Sequence, residues 1–280
     1  MHLAYNSNGW RLFPVTTALQ QLADMGYSGI ELSCQPDQLF PIGFPKDEAK
    51  TIRETAQHAG ITISNLHAGD RNLLGPNGEP SLISPEPEGR AKRIRANKGA
   101  IDLCVELGAE ITVVTSGPLH SEMTSTDAWR YLVDGLGECI EYAQHAGVFV
   151  LVEPEPELFI RSTFDFLALV KALGCPRRLG LNLDVGHSHC LYENTPDVIR
   201  ETSEYLMHVH LEDISKRQHK HLMPGEGEIN FSSIHEALQE IKYSRYVSVE
   251  LYDHFDDPGR AARQAREFLS SWTVAIPCAG

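Results

Sequence analysis

The feature that most restricts how this chain can fold is a repeat. Short apolar, β-branched runs alternate with longer segments whose apolar residues recur at helical spacing. In an α/β protein this alternation means parallel strands joined by crossover helices. Eight such units can be counted, with strands expected at residues 2–5, 29–32, 62–66, 111–115, 148–152, 179–183, 208–211 and 247–251. Their spacing of about 35 residues is the βα repeat of a closed barrel. The helical segments also stop in a common way. Segment 15–26 ends in Gly26, and His58-Ala59-Gly60, Glu106-Leu107-Gly108, His145-Ala146-Gly147 and Ala172-Leu173-Gly174 each put glycine shortly before a strand. Glycine takes the left-handed conformation that terminates a helix at little cost. The expected fold is α/β, a (β/α)8 TIM barrel with parallel strands and outer helices.

The 280 residues suit one barrel, and no charge block, low-complexity tract or linker divides them, so 1–280 reads as a single domain. One segment breaks the rhythm. Residues 74–89 carry Pro76, Pro80, Pro85 and Pro87 with Gly75 and Gly78, a composition that excludes regular structure. It follows the third strand, and two readings stand for it: a lid over the barrel mouth, or a surface insertion.

Composition narrows the partners. With 42% hydrophobic and 22% charged residues the chain can bury a core, which excludes general disorder. A net charge of -14 repels a nucleic-acid backbone, so small neutral or polar substrates come first and nucleic acid is not expected. No apolar run approaches a membrane span, and the first residues do not resemble a secretory leader. A cytoplasmic protein with no membrane partner is expected. Cys34, Cys104, Cys139, Cys175, Cys190 and Cys278 form no C-x-x-C pair and read as reduced core thiols.

The chemistry is concentrated where the later strands end. The fifth runs apolar into Glu153, the sixth ends in Asp184 with His187 three residues on, the seventh carries His210 at its end, and the eighth leads into Glu250. In a parallel barrel Glu153, Asp184, His210 and Glu250 converge at the C-terminal mouth, where barrel enzymes place their catalytic groups. Clustered carboxylates repel, and a divalent cation resolves that conflict. An oxygen-rich set with one nitrogen suits Mn²⁺ or Mg²⁺, with Co²⁺ and Zn²⁺ also compatible.

The strings Gly26-Tyr27-Ser28-Gly29-Ile30-Glu31-Leu32, Leu183-Asp184-Val185-Gly186-His187, His208-Val209-His210-Leu211-Glu212-Asp213 and Pro224-Gly225-Glu226-Gly227-Glu228-Ile229 resemble the xylose isomerase-like barrel superfamily of sugar and sugar-phosphate isomerases and epimerases. The resemblance covers essentially the whole chain. In the ketose 3-epimerase and hydroxypyruvate isomerase branches it implies that Glu153, Asp184, His210 and Glu250 hold one divalent metal, with Glu153 and Glu250 as acid and base on opposite faces of a small carbohydrate-like substrate. That chemistry passes through an enediolate, whose charge a Lewis acid stabilises. The resemblance also implies that His187 contacts a substrate hydroxyl. Arg217 is a second such contact, with Lys216 an equal positional match. His67 and His221 complete the substrate-binding candidates. Barrels of this superfamily often pair, so a homodimer is compatible.

Two stretches depart from the epimerase pattern. Pro154-Glu155-Pro156-Glu157 stands where an aromatic or polar substrate-contact segment is expected, and the tract 251–257 is acidic and aromatic, fit either to shape a pocket or to cap the barrel. Three rivals remain. A multi-zinc apurinic-site endonuclease-like phosphoesterase would draw on His67, His187, His219 and His221, but the fourth strand supplies no histidine and His219 stands where that branch has aspartate. A non-catalytic sugar-binding barrel has no reason to keep two facing glutamates. An inosose-type dehydratase shares the enolate step.

Overall fold

The computed structural model describes residues 1–272. Eight parallel strands close into a barrel in sequence order: β1 (His2–Asn6), β2 (Gly29–Ser33), β3 (Thr62–His67), β4 (Ile111–Val114), β5 (Phe149–Val152), β6 (Leu179–Asp184), β7 (Leu206–Leu211) and β8 (Tyr246–Val249), with β8 pairing back onto β1. Around it run α1 (Val15–Asp24), α2 (Lys46–Ala59), α3 (Pro87–Leu107), α4 (Ser125–Ala146), α5 (Thr163–Ala172), α6 (Val185–Cys190), α7 (Thr195–Glu201), α8 (Phe231–Glu240) and α9 (Pro258–Phe268). The expected (β/α)8 architecture is therefore present, every strand within a few residues of its expected place.

The glycine stops work as their chemistry requires. Gly60, Gly108 and Gly147 cap α2, α3 and α4 with φ of 69°, 76° and 78°. After α5 the left-handed residue, Gly174, falls one position beyond the cap. Alternate strand residues face opposite ways. Val150 and Val152 belong to the main core under the helices, whereas Leu151 joins Ile111, Val113 and Met207 in a separate small cluster. Following that alternation, the next residue after β5 to share the face of Leu151 is Glu153.

Two irregularities set the register of the polar interior. The β2–β3 ladder shifts between Ile30 and Glu31, bringing Glu31 opposite Asn65, and the β6–β7 ladder shifts between Leu181 and Asn182, bringing Asn182 opposite His208 and Asp184 opposite His210.

Segment 74–89 corrects one expectation. Pro76–Gly78 form a short 3-10 turn, and Pro87 starts α3 rather than ending a loop. Proline is favoured in a helix's first turn, where its missing N–H leaves no bond unmade. The segment is tied down by the buried Arg93, whose guanidinium donates to the carbonyls of Ala68, Gly78 and Pro80. The cysteines divide as well. Cys34, Cys104 and Cys139 are buried free thiols, but Cys175 is exposed and Cys190 half-buried, because both fall in the turns after α5 and at the end of α6 rather than on a core face. Cys278 lies outside the described residues. Among the described residues no helix is long and apolar enough to cross a membrane.

Candidate metal and active site

The barrel mouth opens on a cavity of about 300 Å³ whose walls include Glu153, His187, His219, His221, Glu250 and Tyr252. At its base Glu153, Asp184, His210 and Glu250 each place one ligand atom within 4.8 Å of the others, all four residues buried. These are the four that the strand ends indicated.

Each is aimed by its own local structure. Asp184 closes β6 and caps α6: its Oδ1 accepts the backbone N–H of His187 at 2.7 Å, while Oδ2 is buried without a hydrogen-bond partner. Gly186 makes this turn possible, since a Cβ there would fall 1.9 Å from Oε1 of Glu212. Glu250, just past β8, is held from β1 and the turn after it, where the side-chain amides of Asn6 and Asn8 both donate to Oε1 at 3.0 and 2.9 Å. Its Oε2 lies 3.3 Å from Nδ1 of His210. Glu153 is divided likewise, with Oε2 2.7 Å from Nε2 of His67 and Oε1 3.1 Å from Nδ1 of His210.

The electrostatics follow. Burial works against charge on Glu153, yet His210 and His67 more than offset it and hold the carboxyl well below its ordinary range. Asp184 and Glu250 are treated in the same way, chiefly by His187 and by His210 respectively. Burial pushes the His67 imidazole down, but Glu153 reverses this and raises it to about 9. Glu212, next to the cage, is driven upward by burial and then by the neighbouring Asp184 carboxylate.

A divalent cation fits this donor set. Three carboxylates and an imidazole converge, the carboxylates' close ion-pair partners are histidines, and Asp184 presents an unpartnered buried oxygen to the cage. Burying such a group without a partner is costly, and a cation is the partner that the donor chemistry asks for.

Above the cage stands a group of three imidazoles. Nε2 of His187 lies 2.9 Å from Nε2 of His219, which lies 3.2 Å from Nε2 of His221. His187 and His221 are oriented from behind, their Nδ1 atoms donating to the carbonyls of Pro154 and Glu250. The loop that carries His219 and His221 is pinned by Asp213, whose carboxylate accepts the backbone N–H groups of Ile214, Gly225, Gly227 and Ile229. The string Pro224-Gly225-Glu226-Gly227-Glu228-Ile229 is thus a clasp for Asp213, and a Cβ on Gly227 would collide with the Ile214 carbonyl at 2.4 Å.

His67, His187 and His221 therefore line the cavity, as the sequence suggested. Arg217 does not. Its guanidinium stacks on Tyr192 at 3.9 Å and donates to the His189 carbonyl, and both Lys216 and Arg217 take left-handed backbone angles. Lys216 is exposed. The two atypical stretches both shape the pocket. Tyr252 packs its ring 4.3 Å from that of His221, and Glu155 and Glu157 face Arg71 across the mouth, with Glu155 raised by burial to about 7.

Sequence reasoning missed the residues behind the cage: Asn6, Asn8, Glu31, Asn65 and His208. The available signal was the polar side chain of Glu31 in the middle of an otherwise apolar strand.

Fold and cage together define a parallel barrel with a carboxylate-rich candidate cation site at its C-terminal mouth. The chain belongs to the xylose isomerase-like TIM barrel family, whose sequence model matches residues 19–272. The fructoselysine 3-epimerase of Shigella flexneri is 23% identical over 265 residues, covering 92% of this chain and 93% of that one. Among solved structures, a D-tagatose 3-epimerase-like protein superposes with a TM-score of 0.82 at 21% identity, covering 97% of each chain. The IOLI protein with a bound zinc atom gives 0.79 at 21% identity, over 97% of this chain and 98% of that one. At these identities the structural likeness establishes the fold.

Proposed function

We propose that this single-domain chain is a divalent-metal-dependent isomerase or epimerase of a small sugar or other polyhydroxylated carbonyl compound. The observation that carries the reading is the cage itself: two glutamates reach the same cavity from β5 and β8, and each has its second oxygen held by other side chains, Glu153 by His67 and Glu250 by Asn6 and Asn8. The epimerase names of the relatives and the zinc atom of the IOLI structure support it.

Glu153, Asp184, His210 and Glu250 would hold one cation, manganese in first place and magnesium, cobalt or zinc as alternatives. When bound, it supplies the Lewis acidity that stabilises negative charge on a carbonyl and its neighbouring oxygen. Glu153 and Glu250 take and return the proton beside the carbonyl. Return from the opposite face gives epimerisation, and return to the adjoining carbon gives aldose–ketose isomerisation. His67 keeps Glu153 oriented through these transfers, and His187 and His221 offer ring nitrogens to substrate hydroxyls. The walls are polar, as a hydroxylated substrate requires. A cytoplasmic location belongs to the same reading.

The test is solvent exchange. Manganese-loaded protein incubated with a panel of ketoses in heavy water should place deuterium on the carbon beside the carbonyl of at least one of them. Absence of exchange across free and phosphorylated ketoses alike would overturn the reading.

A further inference from the structure

His210 is gripped at both edges of its ring. Its Nε2 lies 2.9 Å from both carboxylate oxygens of Glu31, and its Nδ1 faces the cage, 3.1 Å from Glu153 and 3.3 Å from Glu250. Glu31 is fully buried, and its other contacts are Asn65, whose amide donates at 2.7 Å, and His208, whose Nε2 lies at 3.2 Å. A carboxylate in a barrel interior is expensive to keep. Here it meets imidazoles and an amide, and the shift in the β2–β3 register immediately before it brings Asn65 opposite it.

We propose that Glu31 is a positioning residue for the cation site, fixing His210 in the Nε2–H tautomer so that the Nδ1 lone pair points into the cage. An ionised carboxylate only accepts hydrogen bonds, so the imidazole edge that faces it must carry the proton, and in a neutral ring the other nitrogen is then the free donor to a metal. A carboxylate behind a ligand histidine also fixes the ring's orientation and raises its basicity, and removing such a partner typically costs about 10- to 100-fold in metal affinity. Asn65 and His208 keep Glu31 itself in place, so the arrangement runs Asn65 and His208 to Glu31, Glu31 to His210, and His210 to the cage. This inference rests on the reading in which Glu153, Asp184, His210 and Glu250 hold a cation.

The test is titration of metal-free protein with manganese, followed by calorimetry, for wild type and Glu31→Gln. The expected result is a Kd weakened by about 10- to 100-fold in the variant, with the thermal midpoint of the metal-free form little changed. A variant Kd within twofold of wild type would overturn the inference. A second measurement needs no variant: NMR of isotope-labelled imidazoles in the zinc-loaded wild type should show His210 protonated at Nε2 and metal-bound through Nδ1, and the reverse assignment would overturn the proposal even if Glu31→Gln fails to fold. Wild type that takes up no divalent metal would overturn both this inference and the reading beneath it, whereas tight binding unaffected by Glu31→Gln overturns this inference alone.

Discussion

The carboxylate of Glu153 is shared between two strands: Oε2 lies 2.7 Å from Nε2 of His67 on β3, and Oε1 lies 3.1 Å from Nδ1 of His210 on β7. His67 thus occupies the oxygen that faces away from His210. Replacing His67 with Ala leaves that oxygen without its buried partner while the four cage residues stay. The expected outcome is a loss of about 10- to 100-fold in kcat/KM for solvent exchange, with metal content unchanged. Undiminished exchange in the variant would remove His67 from the mechanism.

Glu250 is the partner glutamate, and Asn6 and Asn8 leave its Oε2 toward the cage. Neutralising either acid–base group should be severe: Glu153→Gln and Glu250→Gln are each expected to lower exchange by about 10²- to 10⁴-fold. Circular dichroism should show the barrel intact in both.

Gly186 explains part of the Asp-Val-Gly-His string in steric terms. A Cβ at this position meets the Glu212 carboxyl at 1.9 Å and Ile214 at 2.9 Å, and both groups are buried. Gly186→Ala is therefore expected to destabilise the protein by about 1–3 kcal/mol. Chemical denaturation of metal-free protein checks this, and a variant as stable as wild type would show that Glu212 moves freely.

The three-histidine group predicts a pH dependence. His219 is pushed from an ordinary 6.5 down to about 4, first by burial and then by His187 and His221. Between those values the unfolded chain takes up a proton that the folded chain refuses, so stability falls as pH drops through this window and is unaffected by His219 above it. His67 has the opposite sign: raised to about 9, it stabilises fully below 6.5 and loses that contribution as pH rises through 9. In metal-free protein the thermal midpoint of His219→Gln should decline less steeply from about pH 6.5 to about pH 4 than that of wild type. Parallel declines would contradict the assignment.

Much of this was legible because strand ends and helix stops are local. Glu153, Asp184, His210 and Glu250 each terminate or follow an apolar run, so the shared direction of parallel strands brings them to one end of the barrel and period-two alternation turns them inward. The stops at Gly60, Gly108 and Gly147 follow from a single residue's backbone freedom. Other residues depend on information a sequence pattern does not hold. Glu31 on β2 reaches His210 on β7 only across the interior of the closed barrel, and Asn6 and Asn8 reach Glu250 only because β8 closes onto β1. Arg217 is a substrate-contact candidate from the resemblance alone, and its stacking on Tyr192, away from the residues that line the cavity, is not visible in the sequence. The proline and glycine content of segment 74–89 points to a loop throughout, yet Pro87 begins a helix.

Metal content tests the central claim most directly. Elemental mass spectrometry of protein purified without added metal or chelator should find one divalent cation per chain in wild type and a marked loss in both Asp184→Ala and His210→Ala. Wild type without a divalent metal, two or three zinc ions per chain, or full occupancy in both variants would contradict the account.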